Sequence, residues 1–518
     1  MTLRSLASAL LAAAALCGQQ ALNPAKLLQQ PTDTWPMYHG DYSGRRFSTL
    51  KQINSSNVNS LTLAWIYRTG VGGIKATPLE INGVLYFSAP DHVWAVDART
   101  GRELWHHQWQ SKGGIHIGHR GVAVYGNWLY FLTPDCNFVS LNIKDGKERW
   151  RRSNCDLDQF YYGSVAPLVV KNHIIAGVSG DDLDRPGYLS SYDPETGDLQ
   201  WRWYAVPQKK GDPGSETWPN EEAMKHGGGM TWQVPTYDPE LNLVYVTTGN
   251  PQPVIAHKNR EGANLFTGSV VALNADTGKM VWYFQASPHD SHDWDATQVP
   301  VLIDGEFKGQ KRKLLALAAR NGYYFLLDRT TGKNLLTAPF ATVNWAKGID
   351  TDGRPIPDPK KEPARNGRLV APDEAGGTNY RSPAFDPASG LLIVSAHDAY
   401  GIYFFKPEHG TVGWAGADYT VYGRGVLRAI DYQTGMIRWS HDLSGGAGAA
   451  GVLTTASGLT FTGDSATSAL ALRSSDGTTL WHSGIGRVGN SPITYELDGR
   501  QYVLFGGGSV LYAFALPQ

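Results

Sequence analysis

The sequence predicts an all-β protein, an eight-bladed β-propeller whose ring is closed by strands from both ends of the chain. One observation is a recurring phrase: a small apolar residue, Asp or Asn, a Thr-Gly or Asp-Gly turn, then Trp four residues after the Gly. The other is the spacing of turn glycines: those at 101, 146 and 197 lie 45 and 51 residues apart, and those at 435 and 477 lie 42 apart, which is the length of a four-stranded blade. The copies are AVDARTGRELW (Ala95 to Trp105), SLNIKDGKERW (Ser140 to Trp150), SYDPETGDLQW (Ser191 to Trp201), ALNADTGKMVW (Ala272 to Trp282), AIDYQTGMIRW (Ala429 to Trp439) and ALRSSDGTTLW (Ala471 to Trp481). A further copy, LLDRTTGKNLL (Leu326 to Leu336), has lost its Trp.

Residues 76 to 107 illustrate one predicted blade. TPLEI and VLYFS are short strands joined by an Asn-Gly turn, HVWAVDA is a third strand, and ELWHH is a fourth strand after a Thr-Gly turn. Short runs rich in β-branched and aromatic residues, separated by turn residues, are typical of hairpins. The same plan starts again at positions 121, 166, 233, 298, 381 and 451, which predicts seven blades.

The eighth blade is expected to combine both ends of the chain. Ser491 to Ala515 supplies three strands, and LTLAWIYRTG (Leu61 to Gly70) carries Trp65 in the place of the repeat tryptophan. Pairing these segments removes the exposed sheet edges that invite aggregation. We therefore expect residues 22–518 to form a single propeller domain. The 59 glycines fit many tight turns, and the net charge of −1 gives no electrostatic case for nucleic acid or a membrane surface.

Residues 1–21 are predicted to be a signal peptide. Arg4 precedes the apolar run LASALLAAAALCG, which is too short to span a bilayer. A lipoprotein reading of Cys17 is disfavoured because Leu16 occupies a position that needs a small residue. No other segment is long and apolar enough to cross a membrane, so we expect the mature protein in the periplasm.

Two cysteines remain, Cys136 and Cys155. Both fall in connections on one face of the second predicted blade, so an exported protein can join them in a disulfide. The alternative is two separate thiols. No C-x-x-C-H motif for an attached c-type haem occurs in the sequence.

The functional site is expected on the face that carries the loops after the second and fourth strands of each blade. These loops contain nearly every insertion, including 206–232 and 341–380, whereas the turns after the first and third strands are short. Loops held on a rigid scaffold are where binding groups usually lie.

Oxygen donors, guanidinium groups and an aromatic ring collect in these loops. Carboxylates and amides suit a hard cation, arginines suit carboxylates, and a flat ring suits a planar ligand. Each residue also has a structural alternative, because Asp and Asn are common turn formers, Trp packs between blades, and arginines pair with aspartates. Their convergence favours a site for a metal ion and an anion. The candidate metal ligands are Asp182, Asn250, Asp293 and Asp295, and the other candidates are Arg120, Arg320 and Trp232.

Four segments beside the repeats carry a family resemblance. They are RGVAVYGNWLYF (Arg120 to Phe131), GVSGDDLDRPGYLSSYDPETG (Gly177 to Gly197), YDPELNLVYVTTGNPQP (Tyr237 to Pro253) and SPHDSHDWD (Ser287 to Asp295). Together with the repeats, they resemble the pyrroloquinoline quinone (PQQ)-dependent alcohol dehydrogenases, eight-bladed quinoproteins of the methanol and ethanol dehydrogenase type. The resemblance runs from about Trp35 to the end of the sequence.

The resemblance implies a role for each matching residue. Trp232 is expected to form the floor beneath PQQ, and Arg320 to lie at the reactive ortho-quinone. Asp293 is expected to be both a metal ligand and the catalytic base, beside the ligands Asp182 and Asn250. Asp295 falls where lanthanide-using members carry an additional Asp, so the ion is expected to be calcium or a lanthanide. The expected contacts to the carboxylates and carbonyls of PQQ are Arg120, Thr133, Ser164 and Asn379.

Three positions depart from the family pattern. Where family members carry adjacent cysteines that form a disulfide over PQQ, this chain reads GGIHIGHRG, so Ile115, His116 or Ile117 is expected to cover that face. Lys75 replaces an expected Glu and is a candidate partner for a PQQ carboxylate. The shorter Asp182 replaces a Glu ligand.

Two classes of function are therefore carried forward. The first is an exported PQQ-dependent alcohol dehydrogenase, an oxidoreductase that passes electrons to a separate acceptor such as a c-type cytochrome. The second is a propeller without a redox role, a binding scaffold like the one that takes part in outer-membrane protein assembly. Retention of Asp293, Asn250, Trp232 and Arg320 favours the enzyme, and the missing cysteine pair favours the scaffold.

Overall fold

The computed structural model describes residues 21–114, 119–180, 184–296, 298–410, 413–443, 450–464 and 467–518. Within these ranges the fold is all-β, as predicted: the strands form eight sheets of four or five strands and one two-stranded hairpin. The described helical segments are short. They are the α-helix α1 (Glu221–Lys225) and the 3-10 segments Pro24–Leu28, Val58–Ser60, Leu157–Gln159, Ser215–Thr217, His257–Arg260, Pro359–Lys361 and Pro407–His409.

The sheets follow one another along the chain. After two N-terminal strands, β1 (Phe47–Ser48) and β2 (Thr62–Arg68), five antiparallel sheets take four consecutive strands each. Their strands are β3 (Leu79–Ile81), β4 (Val84–Ala89), β5 (His92–Asp97) and β6 (Glu103–Gln108); β7 (Ala123–Tyr125), β8 (Trp128–Leu132), β9 (Asn137–Asn142) and β10 (Glu148–Ser153); β11 (Leu168–Val170), β12 (His173–Gly177), β13 (Tyr188–Tyr192) and β14 (Leu199–Tyr204); β15 (Thr236–Asp238), β16 (Leu243–Thr247), β17 (Ser269–Asn274) and β18 (Met280–Gln285); and β19 (Val301–Phe307), β20 (Gln310–Ala318), β21 (Tyr323–Asp328) and β22 (Asn334–Pro339).

The remaining sheets are less uniform. A hairpin, β23–β24, precedes a five-stranded sheet in which two strands are long enough to extend beyond their neighbours, and then two further sheets follow. Their strands are β23 (Ala346–Ile349), β24 (Pro355–Pro357), β25 (Arg368–Val370), β26 (Ala384–Asp386), β27 (Leu391–Phe405), β28 (Gly416–Asp431), β29 (Ile437–Leu443), β30 (Leu453–Thr455), β31 (Leu459–Gly463), β32 (Ser468–Arg473), β33 (Thr479–Gly484), β34 (Ile493–Leu497), β35 (Arg500–Gly507) and β36 (Val510–Ala515).

The two N-terminal strands join the C-terminal sheets. Strand β1 runs parallel to β30, and β2 pairs antiparallel with β36, with Thr62 opposite Ala515 and Arg68 opposite Val510. The last sheet therefore has the order β2-β36-β35-β34, and Thr62–Arg68 occupies the fourth-strand position that the sequence predicted for it.

Burial explains the residue pattern of the strands. Every residue of β4 is buried, whereas β6, the outermost strand of the same sheet, buries Trp105 between exposed or half-buried residues. Strands covered on both faces are continuously apolar, and strands with one solvated face alternate. The apolar runs of the sequence therefore mark the inner strands of each sheet.

The repeat tryptophans dock each sheet onto the next. Trp65 packs against the turn glycine Gly101 of the following sheet, where an added Cβ would lie 2.6 Å from its Cε3 atom. The indole Nε1 of Trp65 also donates to the carbonyl of Ala98, at 3.1 Å. Five further pairs repeat the packing: Trp105 with Gly146, Trp150 with Gly197, Trp201 with Gly278, Trp282 with Gly332, and Trp439 with Gly477. The recurring phrase is therefore an inter-sheet contact rather than a feature of one sheet.

Three positions depart from this contact. Trp481 packs edge-on against Phe514, at 4.9 Å between ring centres, and is not among the glycine pairs. The Nε1 atom of Trp150 is buried without a hydrogen-bond partner among the described residues, and the corresponding carbonyl, that of Pro194, accepts from Tyr130 and Arg149. In the copy that lacks Trp, Ala338 rather than an indole lies against Gly435.

Cys136 and Cys155 form a disulfide, which confirms that prediction. The bridge joins the connection after β8 to the segment after β10. Both cysteines are buried in an apolar cluster with Tyr161 and Met230, and Trp232 packs against the cluster. The disulfide therefore supports the segment that carries Met230 and Trp232.

Candidate active site

A cavity of about 580 Å³ is lined mainly by residues of the segments that connect the strands, and we call it the polar cavity. As predicted, most of its wall comes from segments that follow the second or fourth strand of a sheet. Loop residues that are distant in sequence thus share one space. The lining residues are Lys75, Arg120, Tyr162, Ser164, Ser179, Gly180, Met230, Trp232, Asn250, Asp293, Asp295, Arg320, Glu374, Asn379, Tyr380, Trp414 and Asp418.

Most of the sequence-predicted site residues meet in this wall. Thr133 does not: it is fully buried, and its hydroxyl oxygen accepts a hydrogen bond from the backbone N–H of Asn137, at 3.0 Å. Asp182, together with Ile115, His116 and Ile117, lies outside the described residues. The predicted residues that line the cavity are Lys75, Arg120, Ser164, Trp232, Asn250, Asp293, Asp295, Arg320 and Asn379.

Arg320 organises the acidic part of the cavity. Its Nη2 atom donates to Asp293 Oδ2 at 2.9 Å and to Glu374 Oε1 at 3.2 Å, and its Nη1 atom donates to Asp295 Oδ2 at 3.1 Å. The side chain of Arg320 is only 5% exposed. A buried guanidinium is stable only when paired, and here one cation faces three carboxylates.

Asp295 fixes the position of Trp232 in the cavity wall. Its Oδ2 atom accepts from the indole Nε1 of Trp232 at 2.8 Å, and its Oδ1 atom accepts from the backbone N–H of Asn250. Trp232 and Asp295 are thereby fixed to each other across two sheets. This contact was not predicted, because nothing local in the sequence relates the two positions.

The segment between β18 and β19 presents Asp293 and Asp295 on the same side. The carboxylate of Asp290 accepts from the backbone N–H groups of His292 and Trp294, at 3.0 and 2.7 Å. Trp294 is 1% exposed and stacks on His292. Because Trp294 is buried in the core, the residues on either side of it face the cavity.

Asp293 has an unusual backbone conformation and a raised pKa. Its backbone φ is +67°, a region that non-glycine residues seldom adopt and that is frequent at functional sites. Burial raises the pKa of Asp293 well above its ordinary value, and neighbouring Asp295 and Glu374 reinforce this shift against the opposing effect of Arg320. The acidic part of the cavity is thus short of positive charge.

Basic and aromatic side chains form another part of the cavity wall. The guanidinium of Arg120 lies 4.5 Å from the ring centre of Trp232 and 5.0 Å from that of Tyr380. Burial opposes ionisation of Tyr380, but Arg381, Lys75, Arg120 and Arg487 outweigh it and lower the pKa of this phenol. Lys75 and Arg120 therefore create a positive potential at this end.

Sequence reasoning missed several wall residues. Glu374, Tyr380 and Trp414 lie in or beside long irregular segments that carry no motif. Asp418 lies in β28, whose length exceeds that of the other strands. The remaining residues missed are Tyr162, Ser179, Gly180 and Met230. The insertions at 206–232 and 341–380 were the available signal, and both supply wall residues.

Two features are absent from the described residues. Within these ranges no group of three or more His, Cys, Asp or Glu side chains has the arrangement of a metal site. Over the same part of the chain, no helix is long and apolar enough to cross a membrane.

Comparisons with known proteins place these features in a family. Residues 35–347 match the PQQ family described as glucose/ethanol/alcohol dehydrogenase, beta-propeller domain. Residues 365–515 match the family described as outer membrane protein assembly factor BamB, which covers less than half of the chain.

Individual relatives match over nearly the whole chain. A quinohemoprotein alcohol dehydrogenase of Comamonas testosteroni is 35% identical, with 91% of this chain and 72% of that protein covered. The quinoprotein alcohol dehydrogenase PedH of Pseudomonas putida is 34% identical, with 99% of this chain and 96% of PedH covered. The solved structure of a europium-containing methanol dehydrogenase superposes with a TM-score of 0.88 at 28% identity, covering 95% of this chain and 100% of that one.

The family profile and the relatives agree with the sequence resemblance and with the propeller fold. This chain belongs to the PQQ-dependent alcohol dehydrogenases, a family of oxidoreductases.

Proposed function

We propose that the protein is an exported dehydrogenase that oxidises an alcohol to an aldehyde or ketone with PQQ and a bound metal ion, and passes the electrons to a separate acceptor such as a c-type cytochrome. The observation that carries this proposal is the meeting of Asp293, Arg320 and Trp232 in the wall of one cavity. A carboxylate, a cation and a planar ring from three separate segments are the groups that alcohol oxidation with a planar cofactor requires.

The basic end of the polar cavity fits PQQ. Arg120 is 6% exposed, and its buried Nε atom has no hydrogen-bond partner among the described residues. A buried guanidinium short of acceptors is suited to an anionic ligand such as the carboxylates of PQQ. We assign Trp232 as the floor beneath the cofactor, with Lys75, Arg120, Ser164 and Asn379 around it. Thr133 is not part of this assignment, because it lies outside the cavity wall.

The acidic end fits a hard cation. Its donors are carboxylate oxygens and the carboxamide of Asn250, the ligand types that calcium and lanthanides prefer. Asn250, Asp293 and Asp295 are the described candidates, and Asp182 is a further proposed ligand outside the described residues. A cation at this position would also offset the excess of carboxylates around Arg320.

The charge balance favours a trivalent ion over a divalent one. Asp293, Asp295 and Glu374 surround the single guanidinium of Arg320, and Asp182 adds a further carboxylate to the proposed site. The europium-containing relative has the same fold, which is consistent with a lanthanide at this position.

The residues of the chain perform the proton chemistry. When bound, PQQ supplies a two-electron acceptor and the metal ion a Lewis acid. Asp293 takes the hydroxyl proton of the alcohol on a carboxylate oxygen, while the alcohol carbon gives up its hydrogen with both electrons. Arg320 holds Asp293 at 2.9 Å and stabilises negative charge beside it. The product is a carbonyl compound, and the proton on Asp293 is released to solvent.

The architecture proposed for this function is a single domain, residues 22–518, with the eight sheets as eight blades of a closed ring. The order of the sheets along the chain, the tryptophan docking and the pairing of β2 with β36 support it. Localisation in the periplasm rests on the predicted signal peptide, of which residues 1–20 lie outside the described ranges.

The proposed function is tested by reconstitution. Apoprotein is titrated with PQQ plus lanthanum or calcium, and bound quinone is followed by absorbance together with alcohol-dependent dye reduction. Asp293→Asn should retain PQQ but lose at least ~100-fold in kcat, because the base is lost while an oxygen ligand remains. The exposed Asp198→Asn is the matched control and should behave as wild type.

The same titration decides the metal ion. Asp295→Asn keeps an oxygen that can accept from Trp232 but removes one charge, so it should weaken lanthanum more than calcium. Activity with calcium that is indifferent to this change contradicts the lanthanide assignment. Absence of both PQQ absorbance and turnover with either ion favours the non-redox scaffold.

A further inference from the structure

The wall of the polar cavity contains an acidic group, Asp418, that neither proton transfer nor the charge balance of the proposed metal site uses. Asp418 and Glu374 both line it, and neither belongs to the proposed metal ligands. Trp414 lies in the same wall and packs against the apolar cluster that contains Trp294 and Tyr403. Together these residues form what we call the acidic-aromatic wall: Glu374, Trp414 and Asp418.

The long hairpin holds this wall in place. Asp418 is opposite Tyr403 in the β27–β28 ladder, and the hydroxyl of Tyr403 donates to the carbonyl of His292, at 3.3 Å. Two residues further on, Thr420 donates to Asp373 Oδ2 at 2.6 Å. Asp418 is therefore carried on a fixed strand beside the segment that presents Asp293.

Among the described residues, the cation paired with the acidic-aromatic wall is shared with other carboxylates. Arg320 contacts Glu374, but it also pairs with Asp293 and Asp295. The charged groups that act on Asp418 are Glu374 and Asp373, both acidic; burial first, and then these two, raise the pKa of Asp418 to about 6. Lys75 and Arg120 act instead on Tyr380, whose ring centre lies 5.0 Å from the guanidinium of Arg120.

A neutral substrate would displace water from these carboxylates without providing a charged partner for them. Removing charged groups from water without a partner is costly, so such a wall disfavours a plain aliphatic alcohol. The same wall favours a substrate that carries a positively charged group, because this group pairs with the carboxylates and is attracted to the face of an indole ring.

We propose that the substrate is an alcohol that also carries a cationic amino group, held by Asp418 and Glu374 against Trp414 while its hydroxyl faces Asp293. This assignment rests on the proposed alcohol oxidation and names its substrate class. An alkylammonium group has a pKa near that of lysine, about 10, so it is charged at neutral pH. The amino group is a recognition element only, and the reaction at the hydroxyl carbon is unchanged.

The test compares amino alcohols with alkanols of the same number of heavy atoms, using holoenzyme loaded with PQQ and metal. Wild-type protein should prefer the amino alcohol by about 10- to 100-fold in kcat/KM. Asp418→Asn should lower kcat/KM for the amino alcohol by ~10-fold or more and change that for the alkanol by less than ~2-fold. Glu408→Gln removes the same charge from an exposed position on the β27–β28 connection, and it should leave both values unchanged.

A binding measurement separates recognition from turnover. Butylammonium chloride, which has no hydroxyl to oxidise, should bind the holoenzyme calorimetrically and should lose ~10-fold in affinity in Asp418→Asn. Equal losses for both substrate classes, or a wild-type preference for the alkanol, overturn the substrate assignment while leaving the alcohol dehydrogenase intact. Failure of every alcohol, charged or neutral, overturns the proposed function itself.

Discussion

Replacing Gly101 by Ala tests whether the repeat tryptophans hold neighbouring sheets together. Gly101 has a φ of +73°, and an added Cβ would lie 2.6 Å from Cε3 of Trp65 and 3.0 Å from the carbonyl oxygen of Ile66. The left-handed backbone alone costs a non-glycine residue about 1 kcal/mol. Forcing a packed indole to shift costs about 1–3 kcal/mol more. We therefore expect the free energy of unfolding to fall by about 2–4 kcal/mol.

Two further variants isolate the contact. Gly499 has nearly the same φ, +75°, but no heavy atom lies within 4 Å of its added Cβ, so Gly499→Ala should cost only about 1 kcal/mol. Trp65→Ala should itself cost about 3–5 kcal/mol, because Trp65 is 7% exposed. With the indole gone, adding Gly101→Ala should cost only about 1 kcal/mol.

The assay is urea unfolding followed by far-ultraviolet circular dichroism, with the slope of the transition checked for each variant. Coupling between positions 65 and 101 is the decisive quantity. Equal losses for Gly101→Ala and Gly499→Ala, or strict additivity in the Trp65 and Gly101 double variant, would refute the reasoning.

Three other expectations concern separate parts of the molecule. Burial raises the pKa of Glu80 from 4.5 to about 7, so the folded protein binds this proton more tightly than the unfolded chain and loses stability as pH rises from 4.5 to 7. Glu80→Gln should remove this loss, and parallel curves of unfolding free energy against pH for the two proteins would contradict it. Replacing both cysteines by Ser should cost about 3 kcal/mol for the 19-residue separation of the disulfide, and the variant should unfold alike with and without reductant. Trp232→Ala should weaken PQQ binding by ~10-fold or more, whereas Trp232→Phe, which keeps a ring face but loses the hydrogen bond to Asp295, should weaken it less; equal spectroscopic affinities in all three proteins would remove Trp232 from the site.

The sequence predicted the sheets well because their signals are local. A turn glycine, a strand of alternating burial and a tryptophan recur at a fixed distance from one another in the sequence. Each copy can therefore be recognised without the others. The pairing of Thr62–Arg68 with the last sheet was also predictable, since Trp65 marks it as a displaced copy. The disulfide followed from two cysteines in neighbouring connections.

The site was predicted only in part, because its contacts are between distant loops. Asp293, Arg320 and Trp232 carried motif signals, but the hydrogen bond from Trp232 to Asp295 depends on how two sheets approach each other. Asp418 lies in a strand, and its sequence context does not distinguish it from other polar strand residues. Only the folded hairpin brings it into the cavity wall. Thr133 is not among the residues that line the cavity, and its hydroxyl is hydrogen-bonded within its own turn.

The pairing of β2 with β36 also determines when the last sheet can form during synthesis. Residues 62–68 leave the ribosome early, yet their partner residues 510–515 are made about 450 positions later. At ordinary rates of synthesis this leaves the hydrogen-bonding edge of β2 unpaired for roughly 20–90 s. The last sheet is therefore completed only after translation, and a prematurely terminated chain has no means of covering that edge. In such a fragment the unpaired backbone groups of β2 remain open to pairing with other chains.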